Sequence, residues 1–411
     1  MKTRRCWVAL VTLAGLSAGP SGAQLAAAPS VRLDAAFEAA WQRAVAAREA
    51  EGRADRAVAE RAAAASPWPS PPALHASHRS DRWQSNVGQR ESEIGVAIPL
   101  WLPGQRAARL AAADASVSQA DAGRRAMRLQ LAGELRDAAW TVVARQAELE
   151  ESSAQAALLA RLAEDVERRV GAGDLARADA LAARAEHLAS GAENAEVQQR
   201  RQAARLRWLN LTGLDAFPDA AALAERTVPT PPDIPVDHPE LEHAMQSTEA
   251  ARRRLESLRR SRREPPELSV GVRHDVDGRA EPSRNSLVVG VRIPFGSDGR
   301  YGPLEAAAAG ELAVAQTNEQ RLRERLQADL DAARSALSSA QAQLDAEAAR
   351  AGLLRERATL IERSFRAGET PLPELLRALA AASQAEGAAA RQRAGLGLAR
   401  ARLHQALGLL P

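Results

Sequence analysis

Cysteine and aromatic residues are scarce in this sequence. The 411 residues include one cysteine, and only 3% of them are Phe, Trp or Tyr. The cysteine, Cys6, lies within the first 23 residues, so the remaining chain can form no disulfide and offers no thiolate for catalysis. Ala, Leu, Arg, Glu and Gln dominate instead. This composition is typical of long helices that pack side by side with small residues at their contacts.

Long hydrophobic runs are also missing. No segment after residue 23 approaches 18 consecutive apolar residues, so the sequence predicts no transmembrane helix. The run from Trp7 to Leu16 is about ten residues long, whereas a helix needs roughly 20 to cross a bilayer. Because this run follows Lys2, Arg4 and Arg5 and precedes small residues, residues 1–23 are interpreted as a secretory signal peptide rather than a membrane anchor. We therefore expect the chain to be exported.

The charge balance does not indicate a nucleic-acid partner. The formal net charge is +3, and the three positive charges of residues 1–23 account for all of it. The densest basic stretch contains seven arginines: Arg252, Arg253, Arg254, Arg259, Arg260, Arg262 and Arg263. Glutamates are interspersed with them. In an exported and otherwise neutral chain, this stretch is interpreted as a solvated helix face, and no nucleic-acid binding is predicted.

Catalytic motifs are absent as well. The sequence contains no phosphate-binding glycine loop, no nucleophile elbow and no metalloprotease helix motif, so neither an enzymatic activity nor a cofactor is predicted. His75 and His78 are three residues apart on a predicted strand, which places them on opposite faces. His238 and His243 lie near a predicted helix start. Both pairs are interpreted as surface histidines rather than metal ligands.

A repeat with a spacing of 195 residues is the strongest pattern that is present. The paired landmarks are Gly95 and Gly290, Pro99 and Pro294, residues 170–173 and 365–368, and residues 211–214 and 406–409. Landmarks at one spacing, with no net insertion between them, predict duplication of a whole structural unit. The predicted units are a first repeat over 24–226, a proline-rich linker over 227–236 and a second repeat over 237–411.

Each repeat is predicted to contain a helix, a strand pair, a long helix and a return helix. In the first repeat these are Val31 to Ala65, residues 73–100, 105–169 and 175–211. In the second repeat they are His238 to Glu264, residues 267–295, 303–364 and 371–407. Leucines seven residues apart in the long helices, at Leu330, Leu337 and Leu344, predict supercoiling against a partner helix. The predicted fold class is mainly α with a small β part.

The predicted strands alternate strictly between apolar and polar residues. One face carries eight aliphatic residues: Ile94, Val96, Ile98, Val270, Val272, Val289, Val291 and Ile293. Such alternation is typical of a membrane barrel strand with its apolar face towards lipid. A half-buried strand of a soluble sheet has the same pattern. Since four strands cannot close a barrel, contact with lipid would require several chains to share one.

Taken together, these features resemble the TolC-type outer-membrane efflux proteins of Gram-negative bacteria over essentially the whole mature chain. Residues 364–368 (SFRAG), followed by Leu372, Leu375 and Leu376, are similar to the family's hairpin-tip signature. Residues 293–295 (IPF) are similar to its strand-to-helix connection. The segment from His238 to Leu268, with its arginine-rich helix, looks most like the cobalt–zinc–cadmium efflux branch.

The resemblance implies a passive conduit rather than an enzyme. It implies a homotrimer in which each chain contributes four strands to a 12-stranded barrel in outer-membrane lipid. The helices would continue this barrel as a coiled-coil tunnel in the periplasm. The implied partners are a periplasmic membrane-fusion adaptor and an inner-membrane pump, of the proton-driven RND type. The implied cargo is metal ions or small molecules.

The resemblance also implies roles for particular residues. Residues expected at the hairpin tips, where an adaptor would dock, are Val170, Gly173, Phe365 and Gly368. Glu374 and its repeat counterpart Asp179 are expected to line the periplasmic entrance. Arg377 replaces the family's second entrance acid, which argues against a purely acidic double ring. Thr370 and Pro371 are predicted to cap and to begin the helix that carries Glu374.

Two alternatives belong to other functional classes. One is a periplasmic adaptor of the same export system, which has one helical hairpin flanked by small β-domains, whereas this sequence predicts two hairpins. The other is a soluble coiled-coil scaffold, which would not need four alternating strands at equivalent positions of two repeats. Both alternatives share the predicted export and the long helices.

Overall fold

The computed structural model describes residues 31–218, 223, 231–295 and 298–411, with side chains in the last range described from Tyr301 onward. The predicted signal peptide lies outside these residues, as do residues 227–230 of the predicted linker. The described residues form seven helices and four strands. The predicted class, mainly α with a small β part, is confirmed.

The elements alternate along the chain in two similar series. The helices are α1 (Leu33–Arg43), α2 (Val45–Ala64), α3 (Gln105–Ala172), α4 (Arg177–Thr212), α5 (Pro239–Arg260), α6 (Asp298–Arg366) and α7 (Leu372–Ala406). The strands are β1 (Ala73–Ser80), β2 (Arg90–Pro99), β3 (Glu267–Val276) and β4 (Arg284–Arg292). At 1.5 Å per residue, α3 and α6 are each on the order of 100 Å long.

Two helices differ from their predicted extent. The single helix expected over Val31 to Ala65 is broken at Ala44, whose extended backbone (φ −68°, ψ 135°) separates α1 from α2. This break lets α1 pack in a core with α3 and α4 while α2 runs along α3. Helix α6 begins at Asp298, before the predicted start at Pro303. Pro303 therefore lies inside the helix, beyond its first turn, and removes one backbone hydrogen bond there.

The four strands form one antiparallel sheet in the order β1-β2-β3-β4. Its register places Leu74, Val96, Val270 and Val289 in one row across the sheet. The loops 81–89 and 277–283 leave one end of the sheet, and the helices leave the other end. Strands β1 and β4 are both edges, so two rows of backbone hydrogen-bonding groups are unpaired within the chain.

The long helices form a layer that continues the sheet. Helix α3 contacts α4 on one side and α7 on the other, and α7 in turn contacts α6. Nearer the sheet the order is α2, α3, α5 and α6. Helix α6 therefore lies on the flank that follows β4, and α2 and α4 lie on the flank that leads to β1. Among the described residues, no helix is both long enough and apolar enough to cross a bilayer.

The main core joins the two repeats. Trp208, Leu135 and Phe37 are buried where α1, α3 and α4 meet. Arg136 of α3 is also buried, and its Nη1 donates to Oε1 of Gln405 in α7 at 2.7 Å. This hydrogen bond satisfies one of the donors of the buried guanidinium and ties α3 of the first repeat to α7 of the second.

The duplication is also visible in the backbone. Gly173 and Gly368 have φ of 91° and 82°, and Gly213 and Gly408, again 195 residues apart, have φ of 75° and 76°. All four follow the end of a long helix, where the left-handed conformation closes the last turn. The two repeats therefore end their helices at equivalent glycines.

Candidate functional site

The two hairpin tips have the same backbone geometry. At the end of α3, the N–H of Gly173 donates to the carbonyl of Val170 at 3.1 Å, and that of Asp174 donates to Arg169 at 2.9 Å. The end of α6 repeats both bonds around Gly368. This pair of bonds is a Schellman motif, in which glycine supplies the left-handed residue. Both glycines are exposed, and a Cβ added at either one would meet nothing within 4 Å.

A small apolar cluster holds the tips together. Its buried members come from four helices: Ala163, Val166, Ala183, Phe365, Leu372 and Leu375. Phe365 is only 4% exposed, and the guanidinium of Arg169 lies 5.2 Å from its ring centroid. Phe365 therefore packs between the hairpins of a single chain, and Val170 is half-buried at the edge of the cluster. Their docking role stays a prediction, and the exposed part of the tips consists of the glycines and their neighbours.

Asp179 and Glu374 occupy equivalent positions in the first turns of α4 and α7 but have different surroundings. Oδ2 of Asp179 accepts a hydrogen bond from the N–H of Ala176 at 3.2 Å. The residue equivalent to Ala176 is Pro371, which has no N–H to donate. Glu374 therefore cannot form this bond, and its side chain is exposed whereas Asp179 is half-buried. Of the two predicted entrance acids, Glu374 is thus the more exposed, and the entrance role of both stays a prediction.

The predicted cap of α7 is wrong in detail. Pro371 is itself the capping residue, with extended backbone, and the helix begins at Leu372. Oγ1 of Thr370 donates to Oγ of Ser364 at 2.6 Å and so closes the tip loop instead of capping the helix. Arg377 is exposed one turn beyond Glu374.

Above the tips, a cleft of about 240 Å³ lies between the two hairpins. Glu151 of α3 and Glu386 of α7 both line it, and Glu386 is ion-paired with Arg355 of α6. Burial, reinforced by repulsion from Glu386, raises the pKa of Glu151 above its ordinary value. The cleft thus contains a carboxyl group that takes up a proton more readily than a fully solvated glutamate does.

The polar face of the sheet carries an ion-pair network. Nη2 of Arg273 donates to Oε2 of Glu93 at 2.7 Å, and Nε of Arg273 lies 3.1 Å from Oε1 of Glu91. Nε2 of His75 lies 3.4 Å from Oε1 of Glu93, with the imidazole ring lying over Gly95. Glycine is needed there because a larger side chain would overlap the ring. This face is therefore lined by paired charges.

The opposite face is apolar and open. Seven of its eight predicted lipid-facing residues are 40–69% exposed in the chain, and Ile98 is half-buried. The register brings all of them to one side, because Ile94 pairs with Val272 and Val270 pairs with both Val96 and Val289. In a water-soluble sheet such a face would be buried against another layer. Contact with lipid stays a prediction, and the exposure of the face agrees with it.

Aromatic residues flank this apolar face, which sequence reasoning did not note. Trp83 is 93% exposed in the loop after β1. At the helical end, Phe295 is 95% exposed, Trp68 precedes β1, and Nε1 of Trp101 donates to the carbonyl of Ser66 at 3.2 Å. Tryptophans just outside strand ends, in a chain with few aromatics, are the signal that could have identified them. Such girdles are typical of strands that span a membrane.

The four histidines singled out in the sequence contact neighbouring protein groups. His75 and His78 lie on opposite faces of the sheet, as predicted. The prediction that His238 is a surface histidine is wrong, because the residue is only 1% exposed. Its Nδ1 accepts a hydrogen bond from the N–H of Glu240 at 3.3 Å and so caps α5. Burial lowers the pKa of His238 and of His243. No group of three or more potential metal ligands occurs in the part of the chain that the structure describes.

The arginine-rich stretch connects two helices. Arg254 of α5 lies 3.1 Å from Glu311 of α6, and Arg259 lies 2.8 Å from Glu305 of the same helix. Arg253 pairs with Glu249 within α5 at 2.7 Å. These pairs agree with the interpretation of a solvated, ion-paired helix face.

Comparison with known proteins gives one relative by sequence and several by structure. No family model matches the chain. The chain is 29% identical over 221 residues to the cobalt-zinc-cadmium resistance protein CzcC of Cupriavidus metallidurans, a match that covers 50% of each chain. The chain therefore spans about half the length of that curated relative in the match.

The solved structures match over nearly the whole chain. CusC, a structure described for transmembrane channel formation, has a TM-score of 0.78 at 15% identity and covers 93% of both chains. The outer membrane protein VceC from Vibrio cholerae has a TM-score of 0.72 at 16% identity, over 92% of this chain and 96% of that one. The TM-scores show that the fold is shared, and at such low identities the likeness shows the fold alone. The predicted resemblance to the outer-membrane efflux proteins, and to the cobalt–zinc–cadmium branch among them, is confirmed.

Proposed function

We propose that this chain is a TolC-type outer-membrane efflux protein, and that three copies form a passive channel from the periplasm to the outside. The observation that carries the proposal is the sheet, with one face of exposed aliphatic residues between aromatic girdles and an opposite face of paired charges. A sheet of this kind is stable where lipid covers the first face and water the second. Residues 1–23 would direct export.

The open edges of the molecule support a ring of identical chains. Strands β1 and β4 lack partners on their outer sides, and lipid does not tolerate unpaired strand edges. The helix layer has matching open flanks, with Leu181, Leu188 and Leu206 exposed on α4 and Leu353 and Leu360 exposed on α6. Joining the β4 edge of one chain to the β1 edge of the next is a head-to-tail contact that closes into a ring. With four strands per chain, three chains give 12 strands.

The hairpin tips support an adaptor and a pump as partners. The tips lie at the far end of helices on the order of 100 Å long, remote from the sheet. Their exposed glycines, Gly173 and Gly368, leave backbone accessible for another protein. We place a periplasmic membrane-fusion adaptor here and an inner-membrane pump, of the proton-driven RND type, beyond it. Glu374 would line the entrance.

Metal ions are the proposed cargo. The sequence relative is named for cobalt, zinc and cadmium resistance, and an exposed acid at a three-fold entrance favours cations. The described residues contain no resident metal cluster, which is compatible with a conduit that releases what it conducts. Small organic molecules are the alternative cargo, and their transport would not depend on the charge of Glu374.

The proposal is tested by locating the full chain and measuring its mass. We expect the protein in the outer-membrane fraction, and mild detergent should extract a complex with three times the mass of one chain. The extracted complex should conduct ions in a planar bilayer. A monomer in the soluble periplasmic fraction would contradict the channel and favour the adaptor or scaffold alternative.

A further inference from the structure

The charges of the sheet are segregated between its two faces. All four acids of the strands lie on the polar face: Glu91, Glu93, Glu267 and Asp275. The apolar face has no acid within the described strands. It has three side chains that can be cationic: His78, Arg90 and His274. Because side chains alternate along a strand, this division follows from the register and not from the rotamers of single residues.

Arg90 and the two histidines lie together at the loop end of the sheet. His78, Ser92, His274 and Asn285 form one row across all four strands, directly beyond the row of Ile94 and Val272. Arg90 lies one row further out, opposite Ser80 on one side and Val276 on the other. Successive rows on one face are about 7 Å apart along a strand. The patch thus begins where the apolar surface ends.

Arg90 keeps its full donor capacity towards its surroundings, and the two imidazoles lie beside it. Arg90 is exposed, and none of the described residues forms an ion pair or hydrogen bond with its guanidinium. Nδ1 of His78 lies 3.0 Å from Oγ of Ser92, and Nδ1 of His274 lies 2.7 Å from Oδ1 of Asn285. Both imidazoles are therefore held through Nδ1. Each Nε2 is open, and it accepts a hydrogen bond in the neutral ring and donates one only in the imidazolium form.

We propose that this patch, defined by His78, Arg90 and His274, binds a phosphate group of an outer-leaflet lipid. The inference rests on the proposed function, in which the apolar face contacts lipid. In a bilayer, the phosphate layer lies directly outside the hydrocarbon, at the depth where the patch follows the last aliphatic row. Guanidinium and imidazolium groups are well suited to phosphate oxygens. The absence of acids on this face removes competing repulsion.

The apolar surface below the patch has a suitable height. From Leu287 in β4 to Phe295, three residues beyond its end, the chain advances eight residues. Fully extended, this is about 27 Å, and the roughly 40° tilt of barrel strands reduces it to about 20 Å in height, of the same order as the ~25 Å apolar band of membrane barrels. Trp83, exposed in the adjoining loop, adds an aromatic ring at the same end. Tryptophan favours the headgroup region of a membrane. The patch, the ring and the apolar band therefore define one lipid-binding surface per chain.

The test uses the full-length protein in detergent micelles, with bound lipid counted by native mass spectrometry. The probes are a doubly phosphorylated glycolipid (lipid A), the same glycolipid without its phosphates, and inorganic phosphate. The variant is Arg90→Gln, and the matched control is Arg79→Gln. Arg79 is also exposed near the loop end, but it lies on the opposite face of β1. Arg90→Lys keeps the charge and tests whether charge alone suffices.

We expect Arg90→Gln to weaken binding of the phosphorylated glycolipid roughly tenfold, as loss of one charge-assisted hydrogen bond implies. Arg79→Gln should change this binding less than about twofold. The effect of Arg90→Lys on the binding should lie between the effects of these two variants. The dephosphorylated glycolipid should bind all four proteins equally. Equal effects of Arg90→Gln and Arg79→Gln in a membrane-inserted protein would overturn this inference alone.

Two other outcomes are also decisive. If inorganic phosphate binds as tightly as the phosphorylated glycolipid, with the same dependence on Arg90, the patch is an anion site and the lipid assignment is wrong. If the chain is recovered as a soluble monomer, the proposed function fails first and this inference fails with it.

Discussion

At the scale of single residues, the two repeats have diverged at one backbone donor. Asp179 accepts a hydrogen bond from the backbone N–H of Ala176. At the position equivalent to Ala176, the second repeat has Pro371, which has no N–H to donate to Glu374. The first acid is therefore engaged in closing its own helix start. The second is free. A replacement three residues before the acid thus changes which hydrogen bond the acid can form.

The first prediction concerns cation block at the entrance. In a trimer, Glu374 occurs three times around the axis, which concentrates negative potential in a narrow passage. We expect reconstituted trimers to conduct small cations in preference to anions, and di- or trivalent cations to block from the periplasmic side. Glu374→Gln should weaken this block strongly, and Asp179→Asn should have a smaller effect because its carboxylate is turned towards Ala176. An unchanged block in the double variant, measured by single-channel recording, would place selectivity elsewhere.

The second prediction concerns the pH dependence of stability through His238. Burial lowers its pKa, and its Nδ1 must be unprotonated to accept the N–H of Glu240. The neutral form is therefore favoured in the folded state. Its contribution to stability is complete above the unfolded value of about 6.5 and is lost as the pH falls through the lower folded-state pKa.

The variant His238→Asn tests this contribution because asparagine caps a helix without titrating. Thermal melting between pH 8 and 5 should show a smaller loss of stability in the variant than in the native protein. Some pH dependence should remain, because His243 is shifted in the same direction. An identical slope in both proteins would show that His238 does not contribute.

At the scale of secondary-structure elements, α3 and α7 pack through a glycine contact. Gly397 of α7 lies against the ring of Trp140, and a methyl group there would overlap the ring. Trp140 is nearly buried and cannot move aside freely. Gly395, two residues earlier, has only an ordinary contact with Gln392.

The third prediction follows from this contact. Gly397→Ala should destabilise the protein by about 1–3 kcal/mol through overpacking. Gly395→Ala should leave stability unchanged or raise it by up to about 1 kcal/mol, because alanine favours a helix over glycine. Denaturant unfolding of both variants measures the difference. Equal stabilities would mean that the α3–α7 contact can relax around an added methyl group.

The fourth prediction compares neighbouring valines of β4. Val289 lies on the apolar face, and Val288 lies on the polar face opposite Gly271. Val289→Arg should cost roughly 2–4 kcal/mol per site near the middle of a bilayer and should prevent assembly. Val288→Arg should assemble and alter conductance. The amount of trimer recovered from outer membranes measures both, and equal recovery would contradict the barrel.

Sequence reasoning located most elements because their patterns are local. Alternation over β2 and β3, the proline after α2 and the glycines at the tips each have a local cause. The break at Ala44 could not be predicted, because alanine favours a helix and the break depends on how α1 packs against α3 and α4.

At the candidate site, the residues were identifiable but their surroundings were not. The position of Glu374 followed from the repeat and the family resemblance. The burial of Phe365 between the tips follows from contacts between α6 and α3, where its cluster partner Val166 lies 199 residues earlier in the sequence (365 − 166). The polar patch around Arg90 required the register of all four strands. Non-local packing and register are what a single sequence leaves undetermined.

At the scale of the whole molecule, the open flanks give the fifth prediction. Leu188→Arg on α4 and Leu353→Arg on α6 each disrupt one side of the proposed head-to-tail contact, so either variant alone should be monomeric. A mixture of the two variants retains one intact contact, between unmodified α4 and unmodified α6 surfaces. We expect this mixture to form dimers that cannot close. Light scattering in detergent checks this, and failure to pair on mixing would contradict a heterologous ring.

The two unpaired edges of the sheet also make the newly synthesised chain prone to aggregation before it assembles. Before assembly, each copy exposes two strand edges and an aliphatic sheet face to water. Both are templates for pairing with unfolded or identical chains. In the proposed trimer, correct closure needs two further copies, whereas a wrong pairing needs one, so slow arrival in the membrane would favour aggregates over rings. The single chain is thus the most vulnerable species, and its yield depends on how quickly insertion follows synthesis.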